Sequence, residues 1–375
     1  MRSPAAILCG LLLLAAGAAA EASSYSEFNM GLAWRGRDDD QAIAHLSAAL
    51  ADPTLLTNFR SVALRSRAQT YQHQGKNDLA LADYTASLAL KPDYDAYMAR
   101  GNLLFHRDAY DAALSDLAAA VALRPDLFDA PMMRVTLFLS RDRFDDALAQ
   151  DNELIAIYLK DPYLYTMRST IYRGMGDYVR AMADAEYAIS LDEDAPQGYF
   201  EKAATYEDQG KLDDALDAIK EDLRKSSDNF IGLMKKGVIL WELKKYRDSE
   251  SAFAAALKKS PNNAYAALWL VIAHRNARGD SDVDDVVFKA IDPVRWPGPV
   301  LAQLRGTAAP DATIAAAHTI EGNRHDQICD AEFYGAQWYL LNKNPGAAEP
   351  LMDAAGRDCA MGSLERTPAR LKTWK

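Results

Sequence analysis

Histidines, cysteines and paired carboxylates are where chemistry would begin in this chain, and each has a spacing to test. His325 stands four residues before Cys329 with Asp326 between them, which on a helix would put two metal ligands on one face. His73 and His106 recur 33 residues apart, but a metal there needs two further ligands at matched distance and the sequence nominates none. Asp145-Asp146 and Asp213-Asp214 stand where helices are expected to begin. Acids in that position favour the positive end of a helix, so they read as helix-start residues and not as an acid–base pair. No G-x-S-x-G, H-E-x-x-H, C-x-x-C, phosphate-loop or dinucleotide fingerprint occurs. The expectation is therefore a protein with no catalytic residue, no cofactor and no metal site, and not an enzyme.

The cysteines point to a compartment. Arg2 precedes the apolar run AAILCGLLLLAAGAAA, and Ala18-Ala19-Ala20 or Ala20-Glu21-Ala22 supplies a small-residue cleavage site. Residues 1–20 thus read as a secretory signal peptide, with an uncleaved anchor helix as the other reading. Cys9 lies inside the apolar run behind Ile7-Leu8, which does not fit a lipid-attachment site. No later apolar run approaches the ~20 residues of a membrane span, so no stable membrane insertion is expected after cleavage. Cys329 and Cys359 then remain, an even number for an oxidising compartment, and a disulfide between them is expected; two free thiols are the alternative. The formal net charge is −11, and removing residues 1–20, whose only charged side chain is Arg2, takes it to −12. Spread acidity of that kind disfavours nucleic acid and anionic lipid as partners.

The elements that would position any site repeat. Ala80, Ala113, Ala147, Ala181, Ala215 and Ser249 follow one another at steps of 33 or 34 residues. Twelve residues before each lie Ala68, Gly101, Val135, Ser169, Ala203 and Gly237, mostly small. Four residues after each lie Tyr84, Leu117, Asp151, Ala185, Ile219 and Phe253, where Asp151 replaces the usual large residue. Small residues on both helices let two axes approach, and large side chains fill the space beside the contact. Gly75, Gly176 and Gly210 end first helices, while Pro92, Pro125 and Pro261 close second ones. A weaker unit, with Gly31, Trp34, Ala42, Leu46 and Ala49, precedes them.

A 34-residue helical period is the tetratricopeptide (TPR) signature, and the chain resembles that family across most of its length. The resemblance implies an all-α, right-handed superhelical solenoid of helical hairpins with a C-terminal cap. The expected organisation is a signal peptide over 1–20, about seven TPR units over 24–263, and an apolar helix, final TPR-like unit and cap over 264–375. TPR geometry maps the lining of a protein-binding groove onto Arg65, Gln69, Gln72, His73, Met98, Asn102, Phe105 and His106 in the first regular units. Further along it maps onto Thr136, Thr170, Arg173, Phe200, Ala204, Glu207, Met234 and Trp241. The set is polar near the start, more apolar later, and lacks a row of Lys/Arg to clamp an acidic carboxylate. It suits an extended or helical segment recognised through side-chain pockets.

After residue 264 the rhythm changes. Trp269, then Trp296-Pro297-Gly298-Pro299, then Cys329, Phe333, Tyr334 and Gly335 resemble the C-terminal region of NlpI-type bacterial envelope TPR proteins. That resemblance implies a periplasmic adaptor able to dimerise, with envelope proteases or peptidoglycan enzymes as partners. The chain departs from it in lacking a lipid-attachment site and in its longer N-terminal side. Trp296 either plugs the end of the array or meets a partner. Pro350 falls inside an expected helix and implies a distortion or a late helix start. The reading is a periplasmic or secreted adaptor that holds other proteins or peptides in its groove; a structural assembly factor of a secretion or envelope complex is the alternative.

Overall fold

The structure, a computed structural model, describes residues 23–194, 196–227, 229–279, 291–320, 324–360 and 363–371; the expected signal peptide lies outside them. Among the described residues every regular element is a helix, and the chain divides after Pro131 into two compact units. The first unit holds three hairpins: α1 (residues 23–34) with α2 (Asp39–Ala51), α3 (Thr57–His73) with α4 (Asn77–Leu90), and α5 (Tyr94–Phe105) with α6 (Tyr110–Leu123). Helix α7 (Asp129–Ser140) contains the division, and Pro131 sits in its first turn, where a missing N–H is tolerated. The second unit continues with α8 (Phe144–Ile157), α9 (Pro162–Gly174), α10 (Tyr178–Leu191), α11 (Pro196–Asp208), α12 (Leu212–Lys225), α13 (Phe230–Glu242) and α14 (Tyr246–Lys259).

The small-residue register predicts the helix crossings. Ala80 and Ala113 in the first unit, and Ala147, Ala181, Ala215 and Ser249 in the second, are completely buried. Where serine replaces the small apolar residue it stays satisfied: Ser169 Oγ donates to the Ala181 carbonyl and Ser249 Oγ to that of Gly237, each at 2.7 Å. At Gly237 a Cβ would stand 2.6 Å from the Phe253 ring, so the ring occupies the space the glycine leaves. The turns repeat as well. Gly75, Gly176 and Gly210 have φ of 72°, 78° and 73°, and Asp108, Asp142 and Lys244 take the same left-handed place in other hairpins at 58°, 52° and 56°.

A clamp not anticipated from the sequence locks several hairpins. Arg67 grips Asp83, Arg100 grips Asp116 and Arg168 grips Asp184, each with two hydrogen bonds of 2.7–2.9 Å across a 16-residue separation. Bidentate arginine–carboxylate pairs fix direction as well as distance. In the α7/α8 hairpin the equivalent positions are Arg134 and Gln150, and Arg134 Nε has no partner. Beside them Asp151 is fully buried with neither carboxylate oxygen hydrogen-bonded.

Beyond α14 the second unit closes on a different core. Helices α15 (Ala264–Arg278), α16 (Gly298–Leu304), α17 (Pro310–Ala317), α18 (Arg324–Leu341), α19 (Pro345–Asp358) and α20 (Arg366–Leu371) follow. Trp269 is completely buried, stacked at 5.5 Å on Phe253 and packed at 5.2 Å against Phe333 and 5.8 Å against Trp241. Trp296, half-buried, packs against this same core and donates its indole N–H to Asp330 at 2.8 Å. The late helix start expected at Pro350 does not occur: α19 begins at Pro345, capped by Asn344, and continues through Pro350.

Asp151 generates a test. Burial pushes its carboxyl up to about 7, with Arg168 pulling it down and Asp184 adding to the rise. An unfolded aspartate titrates near ~3.9, so this group's contribution to stability is intact below about pH 4 and is lost as pH rises through 7. Asp151→Leu, which installs the residue type found at Leu117, should gain on the native chain by about 3–4 kcal/mol more at pH 8 than at pH 4. Asp151→Asn should follow the same trend. Urea midpoints at pH 4, 6 and 8 decide; a gap independent of pH removes Asp151 as the cause.

Candidate functional site

Within the second unit the first helices of successive hairpins lie side by side, α11 touching both α9 and α13. A helix presents residues spaced by three and four on one face, and a 34-residue period repeats that face from hairpin to hairpin. Four rows result: Tyr163, Gln197, Ile231 and Tyr265; Thr166, Phe200 and Met234; Thr170 and Ala204; Arg173, Glu207 and Trp241. Asp161, Asn229 and Asn263 cap α9, α13 and α15 by accepting from backbone N–H groups, which fixes where each face begins.

The first two rows enclose two neighbouring cavities. One, of about 280 Å³, lies among Tyr163, Thr166, Met167, Thr170, Phe200 and Ile231, with Glu201 in its wall. The other, of about 400 Å³, lies among Phe200, Phe230, Ile231, Met234, Tyr265 and Leu364, with Asp330 and Glu365 in its wall. Phe200 and Ile231 line both, so the two form one cleft. Tyr163 and Ile231 stand at its rim, 45% and 58% exposed, within reach of an incoming chain.

Further along the same helices the face turns ionic. Arg173, 2% exposed, donates to Asp208 at 2.8 Å and lies 3.5 Å from Glu201. Lys235 pairs with the fully buried Glu207. Burial pushes the Glu201 carboxyl up against the opposing pull of Arg173. The chain's own end completes the cluster: Arg370 donates to Asp208 at 2.7 Å and Thr367 Oγ1 to the same oxygen at 3.3 Å. Arg366 donates twice to Asp142, at 3.0 and 3.3 Å, and once to the Cys359 carbonyl at 3.0 Å.

Residue 365 anchors that end. The Glu365 carboxylate accepts from the Trp269 indole and the Tyr334 hydroxyl, each at 3.1 Å. Asp330 accepts from Tyr265 at 2.7 Å as well as from Trp296. Burial raises both carboxyls, and each lies in the other's field: the charge on Glu365 pushes Asp330 up further. A disulfide joins Cys329 to Cys359, with 4.8 Å between their Cα atoms, and ties the start of α18 to the end of α19.

The residues expected to line a groove are placed unevenly. In the first unit Arg65, Gln69, Gln72, Met98, Asn102 and Phe105 are half-buried and His73 and His106 exposed. Several there are engaged by neighbours: Arg65 with Asp93 and Asp95, Gln69 with Arg35, and His73 with Asp39 at 2.5 Å. In the second unit Thr136 is exposed and Phe200 half-buried and in the cleft. Thr170 and Met234 line cavities although they are 9% and 3% exposed. Arg173, Ala204, Glu207 and Trp241 are buried; they shape the face from beneath and are out of reach of a partner in this arrangement. Sequence reasoning missed Tyr163 and Ile231, although the 34-residue step from one to the other through Gln197 would have found them. Asp208, Asp142 and their arginines carry no such signal, because 159 to 224 residues separate the partners. Among the described residues no group of three His, Cys, Asp or Glu side chains converges as a metal would require, and no helix is long and apolar enough to cross a membrane.

The tetratricopeptide repeat family profile matches residues 65–128, 166–229 and 234–283. A tetratricopeptide repeat protein from Parabacteroides merdae superposes with a TM-score of 0.56 at 18% identity, over 67% of this chain and 99% of its own. A thermophilic TPR protein from Thermus thermophilus covers 48% of this chain and 99% of its own at 18% identity, with a TM-score of 0.43. MamA from Desulfovibrio magneticus covers 45% and 96% at 16% identity, with a TM-score of 0.40. The first of these likenesses carries the fold and nothing more. No curated protein sequence matches the chain.

The disulfide closes a 30-residue separation, for which loop-closure entropy gives about 3–4 kcal/mol. Cys329→Ser/Cys359→Ser should lose that much in urea unfolding followed by tryptophan fluorescence, which reports on the core around Trp269. A loss below about 1 kcal/mol would show that the surrounding packing holds these helices without the bond.

Proposed function

We propose that this chain, a tetratricopeptide repeat protein, is an exported adaptor that holds a segment of another protein in the cleft lined by Tyr163, Phe200 and Ile231. The observation that carries the reading is the cleft itself: two apolar cavities in series, with side chains supplied at a constant 34-residue step. Pockets repeated along a row suit alternate side chains of one bound segment, with exposed helix-start residues at the rim for its backbone. Export is supported by the leader pattern over residues 1–20 and by the disulfide, a bond that persists outside reducing compartments. A periplasmic setting, and envelope proteases or peptidoglycan enzymes as clients, rest on the resemblance of the C-terminal region to NlpI-type proteins. The face of the first unit, where Arg35 bonds to Gln69 and His73 to Asp39, would serve polar contacts.

Photo-crosslinking in living cells tests this directly. A crosslinker at Ile231 should give discrete protein adducts, and one at Val179, 81% exposed on the second helix α10, should not. Tyr163→Asp, with the crosslinker kept at Ile231, should reduce adduct yield at least about tenfold with the melting temperature unchanged, because a charge at the rim must be desolvated by any apolar segment. Equal labelling from Ile231 and Val179 would remove the cleft as the binding site.

A further inference from the structure

The ionic half of the second unit's face is occupied, and its occupant is the chain's own end. Arg366 and Arg370 stand four residues apart, one turn of helix α20, and each meets a carboxylate from a distant hairpin: Asp142 in the turn after α7 and Asp208 at the end of α11. What α20 contributes there is charge. Beneath it Glu201, Glu207 and Asp208 pair with Arg173 and Lys235, and Arg370 adds a third cation to these ion pairs.

The attachment divides into a fixed and a looser part. Up to residue 365 the segment is held by the Cys359 disulfide and by the buried Glu365 between Trp269 and Tyr334. From Arg366 onward, Thr367, Pro368 and Ala369 are buried but small, and each ion pair has one half-exposed partner: Arg370 is 34% exposed over the buried Asp208, and Asp142 is 44% exposed against Arg366 at 13%. Six residues are too few to hold a helix on their own propensity, so α20 exists because it is docked. The Arg366–Asp142 pair reaches the solvent boundary, where ion pairs are worth little individually, whereas the buried Asp208 gives up Arg370 only in exchange for another cation.

We infer that α20 is a displaceable internal ligand. The partner that replaces it is a helical segment of another protein presenting two arginines one turn apart, one for Asp208 and one for Asp142. This extends the binding face proposed above from its apolar cleft into its ionic half. The guanidinium requirement follows from the site: Asp208 already receives Arg173 on one oxygen and offers the other, and Asp142 is gripped through both of its oxygens. A planar fork matches the two oxygens of Asp142 and an ammonium does not; at Asp208 the open oxygen takes a single N–H. Because α20 is tethered, it competes at an effective concentration on the order of millimolar, so a partner gains access by being tighter or by acting at a second point.

The test uses the full chain and a labelled synthetic peptide of residues 363–371, read by fluorescence anisotropy. Full-length Arg366→Ala/Arg370→Ala should bind the peptide at least about tenfold more tightly than the native chain, whose own segment blocks the site. A peptide carrying lysine at both arginine positions should bind at least tenfold more weakly, as should the native peptide when Asp208→Asn is added to the variant. Hydrogen exchange should show residues 366–371 of the variant released. Release without peptide binding, or equal binding by native chain and variant, overturns the assignment. So does a variant whose segment stays protected, since the arginines then do not hold it. A shift of the variant to a dimer by light scattering would assign the site to exchange of α20 between copies and equally overturn a foreign partner. Adducts from Ile231 are read on the intact protein and do not depend on α20, so either reading can fail while the other stands.

Discussion

Two helices whose axes meet at a methyl group or a hydrogen atom leave no room between them, and everything else in this chain follows from that closeness. Ala181 against Ser169, or Ser249 against Gly237, sets the backbones near enough for a serine hydroxyl to reach a carbonyl on the other helix. Such a hairpin hides one apolar side and leaves the other bare, so it is stable only against a neighbour that supplies the complementary face. The constraint acts on buried positions alone. It holds Phe253 against the bare Cα of Gly237 and leaves Val179, on the outside of a second helix, to vary.

This division explains what could be read in the sequence. Crossings, turns and second-helix stops recur at a fixed step, so a local pattern of small residue, twelve-residue gap and large residue was enough to find them. The left-handed turn was legible where it carries Gly75, Gly176 or Gly210 and hidden where Asp108, Asp142 or Lys244 takes the same φ, because only glycine announces that backbone conformation. The arginine–aspartate clamps were missed although they repeat, since charged residues at a 16-residue separation read as solvated surface until two helices bring them together. The site was legible only in part. Thr170, Phe200 and Met234 of the expected set line the cleft, but which residues stay open depends on residues 363–370, and no periodicity links those to α11 or to the turn at Asp142.

The cap shows a different economy of interactions. Within several repeats a carboxylate is gripped by an arginine, whereas around Trp269 two carboxylates accept from indole and phenol donors: Asp330 from Tyr265 and Trp296, Glu365 from Trp269 and Tyr334. Aromatic donors bring a large apolar body with each hydrogen bond, so each of these carboxylates is buried among rings. Burial raises both carboxyls, and these hydrogen bonds pull against the rise. It also gives the chain end a fixed point at residue 365 from which α20 reaches the face of α11.

Along α9 and α11 the chemistry changes within about ten residues, about 15 Å of rise. Tyr163, Phe200 and Ile231 at one end enclose apolar space; Arg173, Glu207 and Asp208 at the other are buried ions. Buried ion pairs seldom stabilise a fold better than well-packed apolar residues would, because desolvation offsets their attraction. Their effect here is selective. The cleft end offers apolar volume, whereas at the ionic end Asp208 is met by two guanidinium groups, Arg173 and Arg370. A segment lying along these helices is therefore read in one direction, apolar residues toward Tyr163 and a guanidinium toward Asp208, and the chain's own end meets the second half of that requirement.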